Sequence, residues 1–318
     1  MSSPPGPTVE NRRLPRTQRR FSAVSISVDP PAVAPPSADA RAAALLRRAR
    51  EHGVTTFDVA DARFPERAER LIATAFPIPD PDLAVIVGRS VESLASERTR
   101  QGDSSPPQDL DTALAESLER SRRRLAPVAL SVIEWHPGPG GGAEDAPGSA
   151  ALPGTTTGPG ELVWSVRLPT PVSVLPKFER SPALFTSELS LLDLGLVSVF
   201  EPTDDQVEAR VVARNPFADG RLDGSRFATT AMLAGPGAGP VDLRRLRAEF
   251  DPVLALGFLT KDRRRTLAQA ALHFVLRWPW VATAVIPLPS PERLEEILGF
   301  GGTPPLSDDE LARLSLVK

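Results

Sequence analysis

There is no cysteine in this chain and no tyrosine, and only Lys177, Lys261 and Lys318 carry an amine side chain. Without Cys there is no disulfide framework and no thiolate metal site; the absence fits a cytoplasmic protein, the location expected here. Without Tyr there is no phenol to donate a proton. With so few Lys, nearly all the positive charge is Arg, which cannot give up and recover a proton near neutral pH. Histidine is equally scarce. His52, His136 and His273 stand apart, with no acidic spacing that suggests a metal site, so no metal is expected. No apolar run approaches the roughly 20 residues of a membrane span. A net charge of −3 offers nothing to nucleic acid or anionic lipid. The partner left by these exclusions is a small molecule; the oligomeric state is not legible.

What is present is an ordinary globular balance, 41% hydrophobic and 24% charged over 318 residues. That length suits one α/β barrel. Strand-like runs at Ser22–Val28, Val54–Asp58, Leu83–Gly88, Val128–Glu134, Leu162–Leu168, Leu196–Phe200, Ala209–Ala213 and Ala282–Ile286 alternate with helical ones. Eight strands close a barrel. Arg19-Arg20-Phe21 superficially looks like a twin-arginine signal, but the apolar stretch after it is short and broken by Asp29, and a strand is the plainer reading.

Helices are expected over Asp39–His52, Asp109–Leu125, Thr266–Trp278, Pro291–Leu298 and Ser307–Leu316. Ser37 or Asp39 would cap the first, and Gly53 would end it. Arg263–Arg265 and Arg244–Arg247 read as solvated helix faces. Residues 1–10 are predicted to be a flexible tail and 11–318 a single domain. Pro137–Gly160 is too rich in Gly and Pro for a helix, and Glu201–Glu208 is too short for a crossover helix. The predicted fold is therefore a (β/α)₈ barrel with one or two outer helices shortened or lost.

Four segments, in order, resemble the aldo-keto reductase superfamily. Gly53-Val-Thr-Thr-Phe-Asp-Val-Ala-Asp61 is similar to that family's second strand and its Phe-Asp-Thr-Ala ending. Leu110–Leu125 with Ser131-Val-Ile-Glu-Trp-His136 resembles the helix and strand that end in an active-site His. Ala213-Arg-Asn-Pro-Phe-Ala-Asp-Gly-Arg-Leu-Asp-Gly224 looks like the Ser-Pro-Leu…Gly-x-Leu-x-Gly turn. Leu267–Trp278, Val281–Pro287 and Ser290–Glu296 resemble the closing helix, strand and cofactor loop. With Arg13–Val28, the likeness covers most of the chain outside 137–195.

The resemblance implies NAD(P)H-dependent carbonyl reduction by a Tyr, Lys, Asp and His tetrad. Carried over, the Asp is Asp58, the His is His136, the Lys position falls at Arg89, and the Tyr position falls at Arg63 or Phe64. Cofactor contacts would fall at Asn215, Phe217, Ser290 and Arg293, but Leu288 stands where the family has a Gly. NADPH thus stays open as a cofactor, while the family's usual reduction is expected to be lost or much reduced.

Three readings follow. The first is a non-redox acid/base enzyme (lyase, dehydratase, isomerase or cyclase type, as in secondary metabolism) in which His136 moves a proton. Asp58 and Arg89 would hold it, and Arg63 would steady an anionic substrate. The second is an NADPH-dependent oxidoreductase with another proton donor. The third is a silent binding or regulatory subunit, its ionic cluster merely inherited. Glu134, two residues before His136, points to the same side of its strand and is either a second acid/base group or a buried ion-pair partner.

Overall fold

A short antiparallel hairpin, β1 (Asn11–Arg13) and β2 (Arg20–Ser22), opens the part of the chain described by the structure, a computed structural model. The described residues are 9–14, 17, 19–100, 102, 109–137, 162–168, 172, 183–200, 210–227 and 243–314. The predicted tail therefore lies outside them except for its last two residues. Those two are packed: Val9 is buried and donates to the His52 carbonyl, and the Glu10 carbonyl accepts from Ala23.

Eight parallel strands follow: β3 (Val24–Ser27), β4 (Thr56–Asp58), β5 (Ala84–Arg89), β6 (Leu130–Trp135), β7 (Val163–Arg167), β8 (Leu184–Glu188), β9 (Val211–Arg214) and β10 (Val281–Pro287). They pair in chain order, and β10 closes on β3 to complete a barrel. The (β/α)₈ architecture expected from the sequence is present. One strand is corrected. The sixth is Leu184–Glu188, whereas Leu196–Phe200 mostly forms a short helical turn, α5 (Val197–Phe200).

The outer helices are α1 (Pro36–Glu51), α2 (Pro65–Ala75), α3 (Val91–Arg100), α4 (Leu110–Leu125), α6 (Leu243–Ala255), α7 (Leu267–Leu276), α8 (Pro291–Leu298) and α9 (Asp308–Leu314). The sequence reading passes over α2 and α3, and of α6 it has only Arg244–Arg247 as a solvated helix face. The cap expected at Ser37 or Asp39 is absent; Pro35 occupies that position without a side-chain hydrogen bond. Asp109 does cap α4, accepting from the Asp111 backbone N–H. The segments expected as a long loop and as a shortened crossover fall almost wholly outside the described residues.

Strand alternation sorts side chains between two cores. Val85, Val87, Ile133 and Val211 face outward onto the helices, while Ala84, Ile86, Val132, Val163, Leu184 and Val212 fill the barrel interior with Leu14 and Phe21 of the hairpin. The hairpin thus plugs the end at which the strands begin. The other end, where active sites of this fold sit, is lined by the last inward residue of each strand, and there the packing turns from apolar to ionic. Arg265 departs from its expected solvated face: it is buried, donates to the Pro304 and Pro305 carbonyls and pairs with Glu310.

Candidate active site

The last inward positions of β4, β6, β7 and β9 are Asp58, Glu134, Arg167 and Arg214, and one ionic network joins all four. Arg214 grips Asp58 with both terminal nitrogens, at 3.0 and 2.7 Å, and reaches Glu134 at 2.8 Å. Arg167 donates to the other Glu134 oxygen at 2.9 and 2.6 Å. Thr186 of β8 donates to Glu134 at 2.8 Å. Asp61, in the turn after β4, meets Arg167 at 2.6 and 2.9 Å and Arg214 at 3.0 Å. Asp58 and Glu134 have no exposed side-chain surface, while Asp61 is 44% exposed.

These contacts set the protonation states. Burial pushes the Glu134 carboxyl up, but Arg214, Arg167 and His136 outweigh it and hold it well below the usual carboxylate range. Burial likewise works against Asp61, and the same two guanidinium groups hold it below its ordinary value. Asp58 goes the other way, because complete burial raises it despite Arg214. Arg214 itself is burdened by burial, yet three carboxylates lift it well above the ordinary arginine value.

His136 stands one residue beyond β6, its backbone N–H bonded to the Arg89 carbonyl at 2.8 Å. Its Nε2 lies 2.8 Å from Glu134 Oε1, and its side chain is 23% exposed. An ionised carboxylate only accepts hydrogen bonds, so Nε2 carries the proton and Nδ1 is the basic nitrogen of the neutral ring. Among the described residues nothing bonds Nδ1. The arrangement is a carboxylate-oriented imidazole, able to accept a proton at Nδ1 and stabilise the resulting charge through Glu134.

Beside this network lies a cavity of 460 Å³, lined by Asp61, Arg167, Arg214, Glu188, Asn215 and Phe217 among others. Asn215 opens the turn after β9 in the left-handed region, φ 55°, and its Oδ1 accepts from the Asp219 backbone N–H at 2.6 Å. Asn tolerates that conformation better than most residues. Phe217 is buried in the same turn.

The structure brings together only part of the set expected from sequence. Asp58 and His136 meet through Glu134 and Arg214. Arg89 does not join them. Residues 84, 86 and 88 of β5 face inward, so Arg89 points out between α2 and α4, where it bonds Ser117 Oγ at 2.7 Å, Ser121 Oγ and the Gly88 carbonyl. Glu69 and Glu97 stand beyond those hydroxyls as its counter-ions, and burial lowers its affinity for its proton despite them. The inward position is Gly88, where a Cβ would lie 2.4 Å from the Ala60 carbonyl oxygen, so no cation can enter from β5. Arg214 supplies it instead.

Arg63 is 70% exposed and paired with Asp29 at 3.0 Å, and Phe64 lines a separate groove against α2. Neither borders the cavity, and Asp58 and His136 are not in its wall either; Asp58 reaches it through Arg214, and His136 through Glu134 and the two arginines. Asn215 and Phe217 do border it. Ser290 and Arg293 do not, being at the start of α8, where Arg293 lies 3.0 Å from Glu296. Arg167 and Arg214 were missed in the sequence. Arg214 had a signal: Val212 and Arg214 alternate onto one side of β9, and a charge at the end of a buried strand face needs a carboxylate. Among the described residues no group of three His, Asp or Glu could hold a metal, and no helix is long and apolar enough to cross a membrane.

No family model matches the sequence, and no curated protein does either. Solved structures do match in shape. A thermostable aldo-keto reductase, solved with the inhibitor epalrestat, is 18% identical, with a TM-score of 0.67 over 97% of this chain and 100% of that one. The glycerol dehydrogenase of Gluconobacter oxydans is 14% identical, with a TM-score of 0.66 over 96% and 94% of the two chains. An aldo-keto reductase of Bacillus halodurans, in its apo form, is 16% identical at a TM-score of 0.64, covering 97% and 96%. The closed parallel barrel and these near full-length superpositions agree: this chain has the aldo-keto reductase fold.

Proposed function

We propose that this barrel does not reduce carbonyls by the family's route and instead moves a proton on a small metabolite through His136. The observation that carries the reading is the 2.8 Å contact between His136 Nε2 and the buried, ionised Glu134. A fixed carboxylate behind an imidazole sets its tautomer and stabilises its charged form, which is what a general base at neutral pH requires. Arg167 and Arg214 hold Glu134 in place and are positioning residues.

A nicotinamide dinucleotide does not fit these residues. A diphosphate would bring at least two charges to a wall where Asp58 and Glu134 already neutralise Arg214 and Arg167, and where only Asp61 could give way. Arg293 stands against Glu296. Glu188 and Asp219 add two more carboxylates to the cavity wall. The tyrosine that would donate a proton after hydride transfer is absent from the whole chain.

The test is solvent exchange. Small hydroxy and oxo compounds are incubated with the protein in D₂O and followed by NMR for deuterium at carbon. The expected result is exchange or conversion of at least one compound, lost in His136→Ala. No exchange across the panel, or exchange that survives His136→Ala, would overturn the proposal. The silent-subunit reading is favoured by one observation, that Glu134 spends its oxygens on four side chains, and it predicts the first of those negative results.

A further inference from the structure

Two of the three carboxylates on the guanidinium pair are fixed, and the third is not. Asp58 and Glu134 are rooted on strands and wholly buried. Asp61 sits in a turn, 44% exposed, and lines the cavity. Arg167 takes both its oxygens, Nη1 to Oδ1 at 2.6 Å and Nη2 to Oδ2 at 2.9 Å, while Arg214 adds Nη1 to Oδ2 at 3.0 Å. This paired grip is how arginines recognise a ligand carboxylate. Neither arginine needs Asp61 to keep its place. Glu134 fixes Arg167, and Asp58 with Glu134 fixes Arg214. The donors are thus pre-organised from behind, and a loop carboxylate covers their open side.

We propose that Asp61 is an internal occupant of a carboxylate subsite, and that the ligand of this cavity is a small monocarboxylate that takes its place on Arg167 and Arg214. The inference rests on the reading of the barrel mouth as a functional site and names its substrate class. Exchange of one carboxylate for another leaves the charge of the network unchanged. A second negative group would meet Glu188 and Asp219 on the same wall, which disfavours dicarboxylates and phosphate esters. Phe217, Val285 and Leu168 offer an apolar side to the rest of the ligand, and Ser27 and Ser187 offer hydroxyls. A cavity of 460 Å³ is of metabolite size. Glu134, and through it His136, lies one guanidinium away from the displaced carboxylate.

Because Asp61 is tethered, it competes at an effective concentration that a free ligand meets only at millimolar levels or above. The wild type should bind simple carboxylates weakly, and removal of Asp61 should strengthen binding. The experiment compares wild type with Asp61→Ala by thermal unfolding and calorimetry in acetate and propionate, with acetamide and sulfate at matched ionic strength as controls. The expected result is a lower Tm for Asp61→Ala that propionate restores and acetamide does not, with affinity for propionate at least tenfold above wild type. Equal affinity in the two proteins, or restoration by sulfate as well, would overturn the proposal. If Asp61→Ala does not fold, the wild type carries the test, since saturating propionate must move the Arg167 and Arg214 Nε–H NMR signals. Unmoved signals would overturn it. The readout is binding, so failure here is seen apart from failure of proton transfer, which the exchange experiment reads.

Discussion

Glu134 holds the barrel mouth together at the scale of single residues, accepting from Arg167, Arg214, Thr186 and His136. Removing one partner of a buried ionic network costs about 3–5 kcal/mol, chiefly because the remaining charges stay buried. Glu134→Gln should therefore lower the unfolding free energy by about that amount. The pH dependence follows from direction. Glu134 is depressed in the folded state, so its contribution is complete above its unfolded value of about 4.3 and is lost as pH falls through the lower folded value. Asp58 is raised, so its contribution is present below its unfolded value of about 3.9 and is lost as pH rises through the folded one. Denaturant unfolding between pH 3 and 7 should show an acid limb in wild type that is shallower in Glu134→Gln. A variant with wild-type stability and an unchanged acid limb would contradict the network as described. Asp58 and His136 were legible because short motifs end on them. Arg89 was placed by its match to the family's Lys position, and strand parity turns it outward, because Ala84 and Ile86 of the same strand face the barrel interior.

Elements were legible where their periodicity was apolar, and hidden where function intrudes. Strand β8 ends in Thr-Ser-Glu because Thr186 and Glu188 face the ionic mouth, and that polarity masks a strand. Leu196–Phe200 offered the hydrophobic run instead. Helix α2 was overlooked because Glu69 and the arginines dilute its apolar face, although Glu69 is buried against Ser121 and Arg124. Helix α7 was easy to read from its Ala- and Leu-rich run, which stops before Pro279, and the structure adds a reciprocal capping box of Thr266 and Gln269 at its start. Thr266→Ala should cost about 1 kcal/mol, measured as a shift in the urea midpoint; no shift would mean the cap is redundant. On β5, Gly88→Ala would place a methyl 2.4 Å from the Ala60 carbonyl oxygen. Overpacking of that kind costs about 1–3 kcal/mol, so this variant should unfold at lower denaturant. An equally stable Gly88→Ala would show that the turn after β4 yields easily.

At the scale of the whole molecule, the barrel follows from strand count and motif order, and both survive with one strand relocated. What motifs could not convey is the route by which charges meet across the barrel. The cation that pairs with Asp58 comes from β9, on the far side of β3 and β10, and no local pattern links residues 156 positions apart. This relocation explains why local repair should fail. The double variant Arg63→Tyr, Arg89→Lys places both new side chains outside the cavity, and it should show no NADPH-dependent reduction of simple aldehydes above background. Turnover by that variant would mean the mouth retains more of the reductase site than its ion pairs suggest. The most direct measurement is a titration of the unaltered protein with NADPH, following nicotinamide fluorescence and quenching of its four tryptophans. The network described here predicts no saturable change up to millimolar cofactor; saturation in the micromolar range would contradict it.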